Sequence, residues 1–393
     1  MKFLPLSIPV IKGNEWKYVK ECLDTGWVST AGKFVDCFEK KIAGYTKSPY
    51  AIGCINGTAA LHTALLSLKI EPNDEVIVPT VSFIAPINAV KYVGAFPVFM
   101  DCDEYLNIDP EKVKMFVDRE CQYKNGKLIN KASRRQVKAI IPVHIFGHLV
   151  NIEPIMELAA KYNLKIIEDA TESLGSYYLR GKFQGKHAGT IGDIGCLSFN
   201  GNKIITTGGG GMIITGGKKL ADKTRYLSIQ AKDDELMYVH SEIGYNYRLT
   251  NVAAAIGLAQ LEELDNYIEI KRRNFFKYRQ YLNKIPGISL IEEPPYAFSN
   301  YWLYSLVIDE NIYGRSNMTL MNIFAKEKIQ ARPLWMLNHK QKPYRNCQSY
   351  KITRAPQYYS GILNIPSSVN LVADDIKRIT TTIEKKQTFL KLT

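Results

Sequence analysis

Cysteine is sparse in this chain and is never paired at short spacing. Seven cysteines are spread over 393 residues, and none of them belongs to a C-x-x-C pair. This spacing argues against a zinc knuckle and against a disulfide framework. An odd cysteine count without an export signal is typical of a reducing compartment, so we expect a cytoplasmic protein.

Long apolar runs are also missing. The N-terminal stretch MKFLPLSIPVIKG is interrupted by Pro5 and Pro9, which makes it a poor secretion signal. No apolar stretch approaches the ~18 residues that a membrane-spanning helix needs. The sequence therefore predicts no membrane association.

The common glycine-rich phosphate loops are absent as well. Gly208–Gly211 is followed by Met212 and does not give G-x-G-x-x-G, and Gly181–Lys186 does not fit a Walker A loop. These absences disfavour a kinase and a dinucleotide-dependent dehydrogenase. His144 and His148 lack a nearby third ligand, so we expect no metal site.

Basic residues outnumber acidic ones, which gives a formal net charge of +13. Such an excess attracts anions or simply forms a solvated basic surface, and the charge alone favours the second reading. No recognisable nucleic-acid-binding module accompanies the charge, so we expect no nucleic-acid partner.

Short apolar runs alternate with helical stretches over residues 1–270. The candidate strands are Tyr50–Ile55, Glu75–Pro79, Phe96–Asp101, Val137–Val143, Leu164–Asp169, Ile194–Phe199 and Gly211–Ile214. The candidate helices are Thr58–Leu68, Ile152–Tyr162 and Asn251–Arg273. Strands that are apolar almost throughout are typical of a mostly parallel sheet buried on both faces, so we predict a large α/β domain.

The pattern changes after residue 270. Prolines punctuate the chain, and a strand at Leu303–Ile308 precedes helices at Met318–Lys328 and Asp374–Leu390. We predict a smaller α+β domain over residues 271–393.

Three segments follow predicted strands, where open α/β sheets bind their ligands. The small residues Gly57, Thr58 and Ala59 open a helix and suit a phosphate, although a threonine helix cap is the more common explanation of such a segment taken alone. Asp169 ends an apolar strand and needs a partner such as a metal, a ribose hydroxyl or a protonated ring nitrogen, unless it caps the next turn.

The third segment contains Lys203, which is followed by two threonines and four glycines. A lysine that is desolvated near the end of a sheet can act as a Schiff-base nucleophile, whereas most lysines are only surface charges. The combination is more specific than its parts. A phosphate-binding helix start, a strand-end aspartate and a later lysine come in the order used by pyridoxal 5'-phosphate (PLP) enzymes of the aspartate-aminotransferase-like fold (fold type I).

From about Leu6 to the C-terminus, the chain resembles the DegT/DnrJ/EryC1/StrS sugar aminotransferases. The matching motifs are NGTAAL, PTVSFIAPINAV, GAFPVFMDCD, IIEDATESLGS, SFNGNKIITTGGGGM and GYNYRLTNVAAAIGLAQL. The resemblance implies a PLP-dependent nucleotide-sugar aminotransferase whose cofactor alternates between PLP and pyridoxamine phosphate.

The resemblance also implies a role for individual residues. Lys203 would carry PLP as a Schiff base and transfer protons, Asp169 would pair with the pyridine nitrogen, and Phe83 would stack on the ring. The phosphate would be held by Gly57, Thr58, Ala59 and Ser198. Asn246 would reach the phosphate from a neighbouring subunit, which implies a homodimer with shared active sites.

Two positions depart from the family pattern. Gly209 stands where many members have glutamate, and Glu172 stands where others carry histidine or glutamine near the phenolic oxygen of PLP. A carboxylate beside a phenolate needs a proton or a water between them, which leaves the role of Glu172 open. The retained Lys203 argues against the relatives that act as dehydratases.

The motif GNKIITT resembles the branch that aminates C4 of a 4-keto-6-deoxy sugar. The opening motif and ARPLW resemble enzymes for N-acetylated hexosamines in legionaminic acid or bacillosamine synthesis, within bacterial surface-glycan biosynthesis. The implied substrate contacts are Gly26, Trp27, Val28, Ser29, Arg332, Pro333, Leu334 and Trp335. We expect a UDP- or GDP-linked sugar and L-glutamate as the amino donor. A PLP-dependent sugar dehydratase, a C3 aminotransferase and a non-enzymatic PLP-binding regulator are the alternatives.

Overall fold

The structure is a computed structural model that describes residues 2–234 and 236–385. Its helices are α1 (Glu15–Thr25), α2 (Lys33–Thr46), α3 (Gly57–Ser67), α4 (Ala85–Tyr92), α5 (Pro110–Glu120), α6 (Glu153–Tyr162), α7 (Lys218–Ser228), α8 (Asn251–Glu262), α9 (Leu264–Leu282), α10 (Glu310–Tyr313), α11 (Asn317–Lys326), α12 (Ala355–Gly361) and α13 (Ala373–Lys385). Short 3-10 turns lie at Ile145–Gly147, Asn338–Lys340 and Lys342–Tyr344.

The strands belong to a large central sheet, a smaller C-terminal sheet and two short pairs. They are β1 (Tyr50–Cys54), β2 (Glu75–Pro79), β3 (Phe96–Met100), β4 (Cys121–Lys124), β5 (Lys127–Asn130), β6 (Gln136–Ile140), β7 (Lys165–Asp169), β8 (Tyr177–Tyr178), β9 (Ile194–Ser198), β10 (Gly211–Thr215), β11 (Lys232–Asp234), β12 (Val239–His240), β13 (Ile288–Leu290), β14 (Ala297–Phe298), β15 (Tyr304–Ile308), β16 (Arg332–Pro333), β17 (Ser349–Tyr350) and β18 (Ile362–Ile365).

The central sheet has ten strands and is mostly parallel. Its main path runs in the order β1-β10-β9-β7-β6-β2-β3-β17, and the β4–β5 hairpin joins it at β6. Strand β10 is antiparallel to both of its neighbours, so β1 runs in the same direction as the parallel strands. The carboxyl ends of β1, β2, β6, β7 and β9 therefore meet at one edge of the sheet.

Both faces of this sheet are buried, as the apolar strands predict. Along β1, Ile52 packs into one apolar cluster and its neighbour Ala51 into another, and Ile213 and Met212 of β10 alternate in the same way. Helix α3 covers the first face, and α2 covers the second. The prediction of an α/β fold with a mostly parallel sheet is confirmed.

The C-terminal part forms a four-stranded antiparallel sheet in the order β13-β15-β18-β16. Helices α9 and α13 pack on it around a separate apolar core, which includes Phe275, Leu306, Leu363 and Ile379. The predicted boundary at residues 270 and 271 falls inside α9, which runs through that position without a break. The division into two domains stays a prediction.

The helix predicted over Asn251–Arg273 is wrong in one respect. The structure has two helices there, α8 and α9, and Glu263 between them has a φ of −102° and a ψ of −3°. Apolar periodicity continues across Glu263, and a one-residue break leaves no trace in such a pattern. The predicted C-terminal helix is observed as Ala373–Lys385, and its residues 386–390 lie outside the described residues. Among the described helices, none is long and apolar enough to cross a membrane.

Candidate active site

A cavity of about 320 Å³ lies at the edge where the parallel strands end. Its walls come from the loops after β1, β2, β6, β7 and β9 and from two tryptophans of the C-terminal part. The lining residues are Asn56, Gly57, Thr58, Leu61, Phe83, Ala85, Pro86, Val143, Asp169, Thr171, Glu172, Ser198, Asn200, Asn202, Lys203, Trp302 and Trp335. We refer to this cavity as the Lys203 cavity.

The N-terminus of α3 forms one end of the Lys203 cavity. Asn56 caps this helix by accepting a hydrogen bond from the Ala59 N–H at 2.8 Å. The N–H groups of a first helical turn have no acceptor within the helix, and the helix dipole adds partial positive charge there. Gly57 and Thr58 of this turn both line the cavity. This end of the cavity is therefore suited to an anion.

Close approach of the backbone explains why glycine occupies position 57. A Cβ atom built on Gly57 would lie 3.0 Å from the Ser198 Cβ and 3.1 Å from the Thr171 Cγ2. A Cβ at this position would therefore have to displace the end of β9 from α3 by a few tenths of an ångström. The Ser198 hydroxyl is thereby brought beside the first turn of α3, and the two elements together form a cradle suited to an anion such as a phosphate.

Asp169 ends β7 and is almost fully buried. Burial raises the pKa of its carboxyl, while the Thr171 hydrogen bonds and the charges of Lys203 and His144 oppose the rise. Its Oδ1 accepts the Thr171 N–H at 3.1 Å. A buried carboxylate that faces a cavity is costly unless a positive or hydrogen-bonding partner occupies it, and a protonated ring nitrogen fits this requirement.

His144 and Glu168 form a buried pair behind Asp169. The Val150 N–H donates to Nδ1 of His144, so Nε2 carries the proton and donates to Glu168 Oε2 at 3.0 Å. Glu168 also accepts backbone N–H groups from Gly189, Ile191 and Gly192. The pair is thus satisfied internally. Within the part of the chain that the structure describes, no group of histidine, cysteine, aspartate and glutamate side chains could hold a metal ion.

Lys203 projects into the cavity from the loop after β9. Its Nζ lies 3.5 Å from Oε1 of Glu172 and 4.0 Å from the centre of the Trp302 ring. The Lys203 side chain is only 13% exposed, which sets it apart from an ordinary surface lysine. The lysine is therefore held between a carboxylate and an aromatic face.

Glu172 is buried and has a second contact opposite Lys203. Burial raises the pKa of its carboxyl, and the positive charge of Lys203 and the hydrogen bond from Phe146 oppose that effect. The Phe146 N–H donates to Oε2 at 2.8 Å, and Phe146 has a positive φ of 54°. Glu172 thus links Lys203 to a turn that non-glycine residues adopt infrequently.

Aromatic rings form the remaining walls. Phe83 follows β2 and is 54% exposed, and its ring centre lies 6.3 Å from that of Trp335. Trp335 in turn packs on Phe146 with 4.8 Å between ring centres. A flat heteroaromatic ligand fits such walls. With the anion cradle, the buried aspartate and the enclosed lysine, the cavity matches the separate parts of PLP.

The comparison with known families agrees with this geometry. The model of the DegT/DnrJ/EryC1/StrS aminotransferase family matches residues 9–384. The chain belongs to this family. It is an aminotransferase that uses PLP, and both of these predictions are confirmed.

Similar proteins and solved structures match nearly the whole chain. The chain is 36% identical over 386 residues to the GDP-perosamine synthase of Caulobacter vibrioides, and this match covers 97% of this chain and 98% of that protein. It is 41% identical to the GDP-perosamine synthase of Escherichia coli O157:H7, covering 88% of each chain. A crystal structure of a DegT DnrJ EryC1 StrS aminotransferase from Brucella abortus matches with a TM-score of 0.86 and 27% identity, covering 95% of both chains.

Most of the predicted cofactor residues are brought together by the fold. The Lys203 cavity is lined by Gly57, Thr58, Phe83, Asp169, Glu172, Ser198 and Lys203. Ala59 does not line it, because it is buried in α3 and its N–H is bound by Asn56. Asn246 is exposed and lies outside the cavity, beside Ile229.

The predicted substrate residues fall into two separate places. Arg332, Pro333, Leu334 and Trp335 line a second cavity of about 600 Å³, which shares Asn202, Trp302 and Trp335 with the Lys203 cavity. We refer to it as the Arg332 cavity. Residues 26–29 are exposed, and Trp27 borders a different hollow beside Asn251. In this chain alone they do not meet Lys203.

Several residues of the site were not predicted from the sequence. Asn202 and Trp302 line both cavities, and the Trp302 Nε1–H donates to the Asn202 carbonyl at 2.6 Å. Trp302 is a hundred residues away in the chain, and a single tryptophan among other aromatics gives no periodic signal. Asn202 directly precedes Lys203, so its position next to the candidate lysine was the only available hint.

Proposed function

We propose that this aminotransferase adds the amino group at C4 of a nucleotide-linked 4-keto-6-deoxyhexose, with L-glutamate as the donor. Lys203 is the residue that binds the cofactor and moves the proton. The observation that carries the proposal is the enclosure of Lys203 with Asp169, Glu172 and the Gly57–Ser198 cradle in one cavity. Family membership and the relatives' names support a nucleotide sugar as the acceptor.

The residues of the Lys203 cavity divide the binding of PLP among them. Gly57, Thr58 and Ser198 would hold the phosphate, Asp169 would pair with the ring nitrogen, and Phe83 would cover a ring face. When bound, PLP supplies an electron-accepting ring that stabilises negative charge at the carbon losing a proton. The raised pKa of buried Asp169 would fall once a cation pairs with its carboxylate.

Lys203 would act as the general acid and base. Its Nζ is directed into the cavity, and Trp302 and Glu172 limit the positions that Nζ can take. Proton transfer requires the donor and acceptor atoms to be within hydrogen-bond reach. Because the position of Nζ is restricted, Nζ would stay within reach of the same substrate atom in every catalytic cycle. Glu172 would keep Nζ on one side of the cavity through the 3.5 Å ion pair.

The Arg332 cavity is the candidate site for the nucleotide portion. It adjoins the Lys203 cavity at Asn202, Trp302 and Trp335, and Arg332 on its wall is exposed. A guanidinium group suits a diphosphate because it offers several donors in a fixed fork. A sugar that reaches past Trp335 toward Lys203 would leave its diphosphate near Arg332.

We further propose a homodimer in which Asn246 completes the cofactor site of the partner copy. Asn246 is exposed and does not line the Lys203 cavity of its own chain, which is what a role across subunits requires.

The test of shared active sites mixes two variants that are each expected to be inactive, Lys203→Ala and Asn246→Ala. Random reassortment should restore roughly a quarter of wild-type activity, since half of the dimers then have one intact site. Activity that stays at the level of the separate variants would contradict shared sites.

The first experiment on the reaction uses the PLP-loaded protein. We expect a visible absorbance band that Lys203→Ala abolishes together with turnover, because the band depends on the bond between Lys203 and PLP. A colourless wild-type protein in the presence of PLP would overturn the role of Lys203. A protein in which Lys203→Ala keeps the band would do the same.

The second experiment identifies the acceptor. Mass spectrometry would follow the products from UDP-, GDP- and dTDP-linked 4-keto-6-deoxy sugars, with and without a 2-acetamido group, in the presence of L-glutamate. The sequence motifs favour an N-acetylated hexosamine, whereas relatives named GDP-perosamine synthase favour a GDP-linked sugar. Nitrogen at C4 supports the proposal. Nitrogen at C3, or a deoxy product without nitrogen, contradicts it.

A further inference from the structure

Lys271 is a fully buried lysine in α9 that the proposed reaction does not use. Its Nζ donates hydrogen bonds to the carbonyl oxygens of Trp302 at 3.0 Å and of Ser367 at 2.5 Å. Among the described residues, no carboxylate lies close enough to offset the burial of this amino group. A buried amino group is costly even when it is hydrogen-bonded, so a lysine at this position calls for an explanation.

The partner of Lys271 is a wall of the active site. Trp302 places its ring 4.0 Å from the Lys203 Nζ and donates its indole N–H to the carbonyl of Asn202. The backbone of Trp302 is held on the opposite side, where its carbonyl receives Lys271 and also the Ser367 hydroxyl at 2.9 Å. Lys271 and Lys203 are thus connected through a single residue.

The geometry points to Lys271 as a positioning residue for Lys203, which acts by fixing the backbone of Trp302 and hence the ring that limits the Lys203 ammonium. This inference rests on the proposed role of Lys203 in the reaction. Lys271 holds Trp302 by its backbone carbonyl, whereas the side chain of Trp302 lines the Lys203 cavity. Loss of the anchor would let the ring shift and would relax the position of Nζ.

A purely structural role for Lys271 predicts a different outcome. In that case, removal of the amino group would only lower stability, as any loss of a buried hydrogen bond does. A positioning role additionally changes the environment of Lys203 in protein that is fully folded. A spectroscopic property of Lys203 therefore distinguishes the two possibilities, whereas stability does not.

The test compares Lys271→Met with the matched control Tyr313→Phe. Methionine keeps the length and apolar stem of the lysine but cannot donate to the Trp302 carbonyl. Tyr313 is buried in the C-terminal core and donates to the Ile383 carbonyl at 2.7 Å, so its replacement also removes a buried hydrogen bond to a carbonyl. Both variants are expected to unfold at lower urea concentration than wild type.

Two measurements on PLP-loaded protein distinguish the variants. The first is the pH midpoint at which the Lys203-dependent visible band changes, measured without substrate. The second is the single-turnover rate with L-glutamate. We expect Lys271→Met to move the midpoint and to slow the turnover about ten-fold or more, since small displacements of reacting groups cost rate steeply. Tyr313→Phe should leave the midpoint unchanged and the rate within about two-fold.

Other outcomes are informative in either direction. If Lys271→Met matches Tyr313→Phe in both measurements, Lys271 is structural and the inference is wrong, while the band itself still supports the role of Lys203. If wild type lacks the band, the proposed function fails first.

If Lys271→Met does not fold, Ser367→Ala takes its place, because it removes the other donor to the same Trp302 carbonyl. Ser367→Ala should move the midpoint away from its wild-type value, because the Trp302 carbonyl then loses one of its two anchoring donors, and an unchanged midpoint would overturn the inference.

Discussion

Glu172 contacts Lys203 through one carboxylate oxygen and the Phe146 N–H through the other. This bridging explains how a carboxylate is tolerated in a buried cavity, because both of its oxygens have donors. It also resolves part of the question raised by the sequence, where Glu172 departs from the family pattern. In the structure, Glu172 is a partner of Lys203 and an anchor for a strained turn.

A first prediction follows from the titration of Glu172. Burial raises the pKa of its carboxyl, so the ionised form predominates only above that raised pKa, and the ion pair with Lys203 is lost as the pH falls through it. We expect the single-turnover rate of wild type to decline on the acid side. In Glu172→Gln this acid decline should vanish, and the rate should be about ten-fold lower at its plateau.

The measurement is the rate of the first half-reaction with L-glutamate over a range of pH. Asp103→Asn provides a control, because Asp103 is also a buried carboxyl with a raised pKa but does not line the Lys203 cavity. An acid decline that persists unchanged in Glu172→Gln would show that another group is responsible.

Some residues of the site could be predicted from the sequence, and others could not. Gly57, Asp169 and Lys203 were identified because each follows a strand of the same sheet, and the fold of the sheet then brings them together. Trp302 and Lys271 act from the C-terminal part, and their contacts with the site depend on how that part packs against the sheet. Local patterns contain no information about such packing.

At the scale of elements, the start of α3 and the end of β9 approach each other unusually closely. Gly57 permits that approach, and Gly211 of β10 permits a second one, because a Cβ there would lie 2.5 Å from the carbonyl of Asn56. The anion cradle thus depends on Gly57 at the start of α3 and on Gly211 at the start of β10, the strand that pairs with β1 and β9.

A second prediction concerns this approach. Gly57→Ala should push α3 away from Ser198 and weaken PLP binding about ten-fold or more, which corresponds to roughly 1.4 kcal/mol. The dissociation constant for PLP, measured by titration of the apo-protein, checks this expectation. Gly44→Ala in α2 is the control, since a Cβ at Gly44 has no neighbour within 4 Å and alanine is the better helix former. Equal PLP affinity in both variants would contradict the cradle.

A third prediction concerns the cap of the same helix. Asn56→Ala removes the acceptor of the Ala59 N–H and should lower the free energy of unfolding by about 1 kcal/mol. Urea unfolding of the apo-protein would measure this change. Asn56→Asp keeps an acceptor at this position and should retain most of the stability, so a loss as large as that of alanine would argue against the capping role.

The elements themselves were predicted with uneven success. The buried strands β1, β2, β3, β7, β9 and β10 agree with the predicted runs to within one residue at either end. Their apolar composition reflects burial on both faces, which few other structures impose. The prediction of β6 extended to Val143, although the strand ends at Ile140, because the apolar pattern continues beyond it. Helices α8 and α9 were predicted as one helix, because the apolar pattern also continues across Glu263.

At the scale of the whole molecule, Lys271 makes stability depend on pH. Burial lowers the pKa of its amino group from 10.5 to about 7. A neutral amine has two N–H groups, which match the two carbonyl acceptors, whereas an ammonium group would leave a third N–H to be satisfied. Between about 7 and 10.5 the unfolded chain therefore binds a proton that the folded chain does not, and stability rises with pH in this window.

A fourth prediction follows from that difference. The free energy of unfolding of wild type should increase relative to that of Lys271→Met as the pH is raised from about 7, because methionine has no proton to exchange. Urea unfolding of the apo-protein at several pH values would measure the difference without the pH dependence that bound PLP would add. Lys284→Met, which replaces an exposed lysine just after α9, should show a constant difference from wild type. A constant difference for Lys271→Met as well would mean that Lys271 is not neutral in the folded protein.

The Lys203 cavity and the Arg332 cavity share only Asn202, Trp302 and Trp335 among their lining residues. If the Arg332 cavity binds the nucleotide portion as proposed, reaction chemistry and acceptor recognition are encoded by largely separate sets of positions. Exchanges at Gln330, Arg332 or Tyr359 would alter which sugar nucleotide is accepted and would leave the groups around Lys203 in place. The molecule would in this sense be modular, and a new amino sugar would be accessible by redesigning a wall of the second cavity while Lys203 and its neighbours are inherited unchanged.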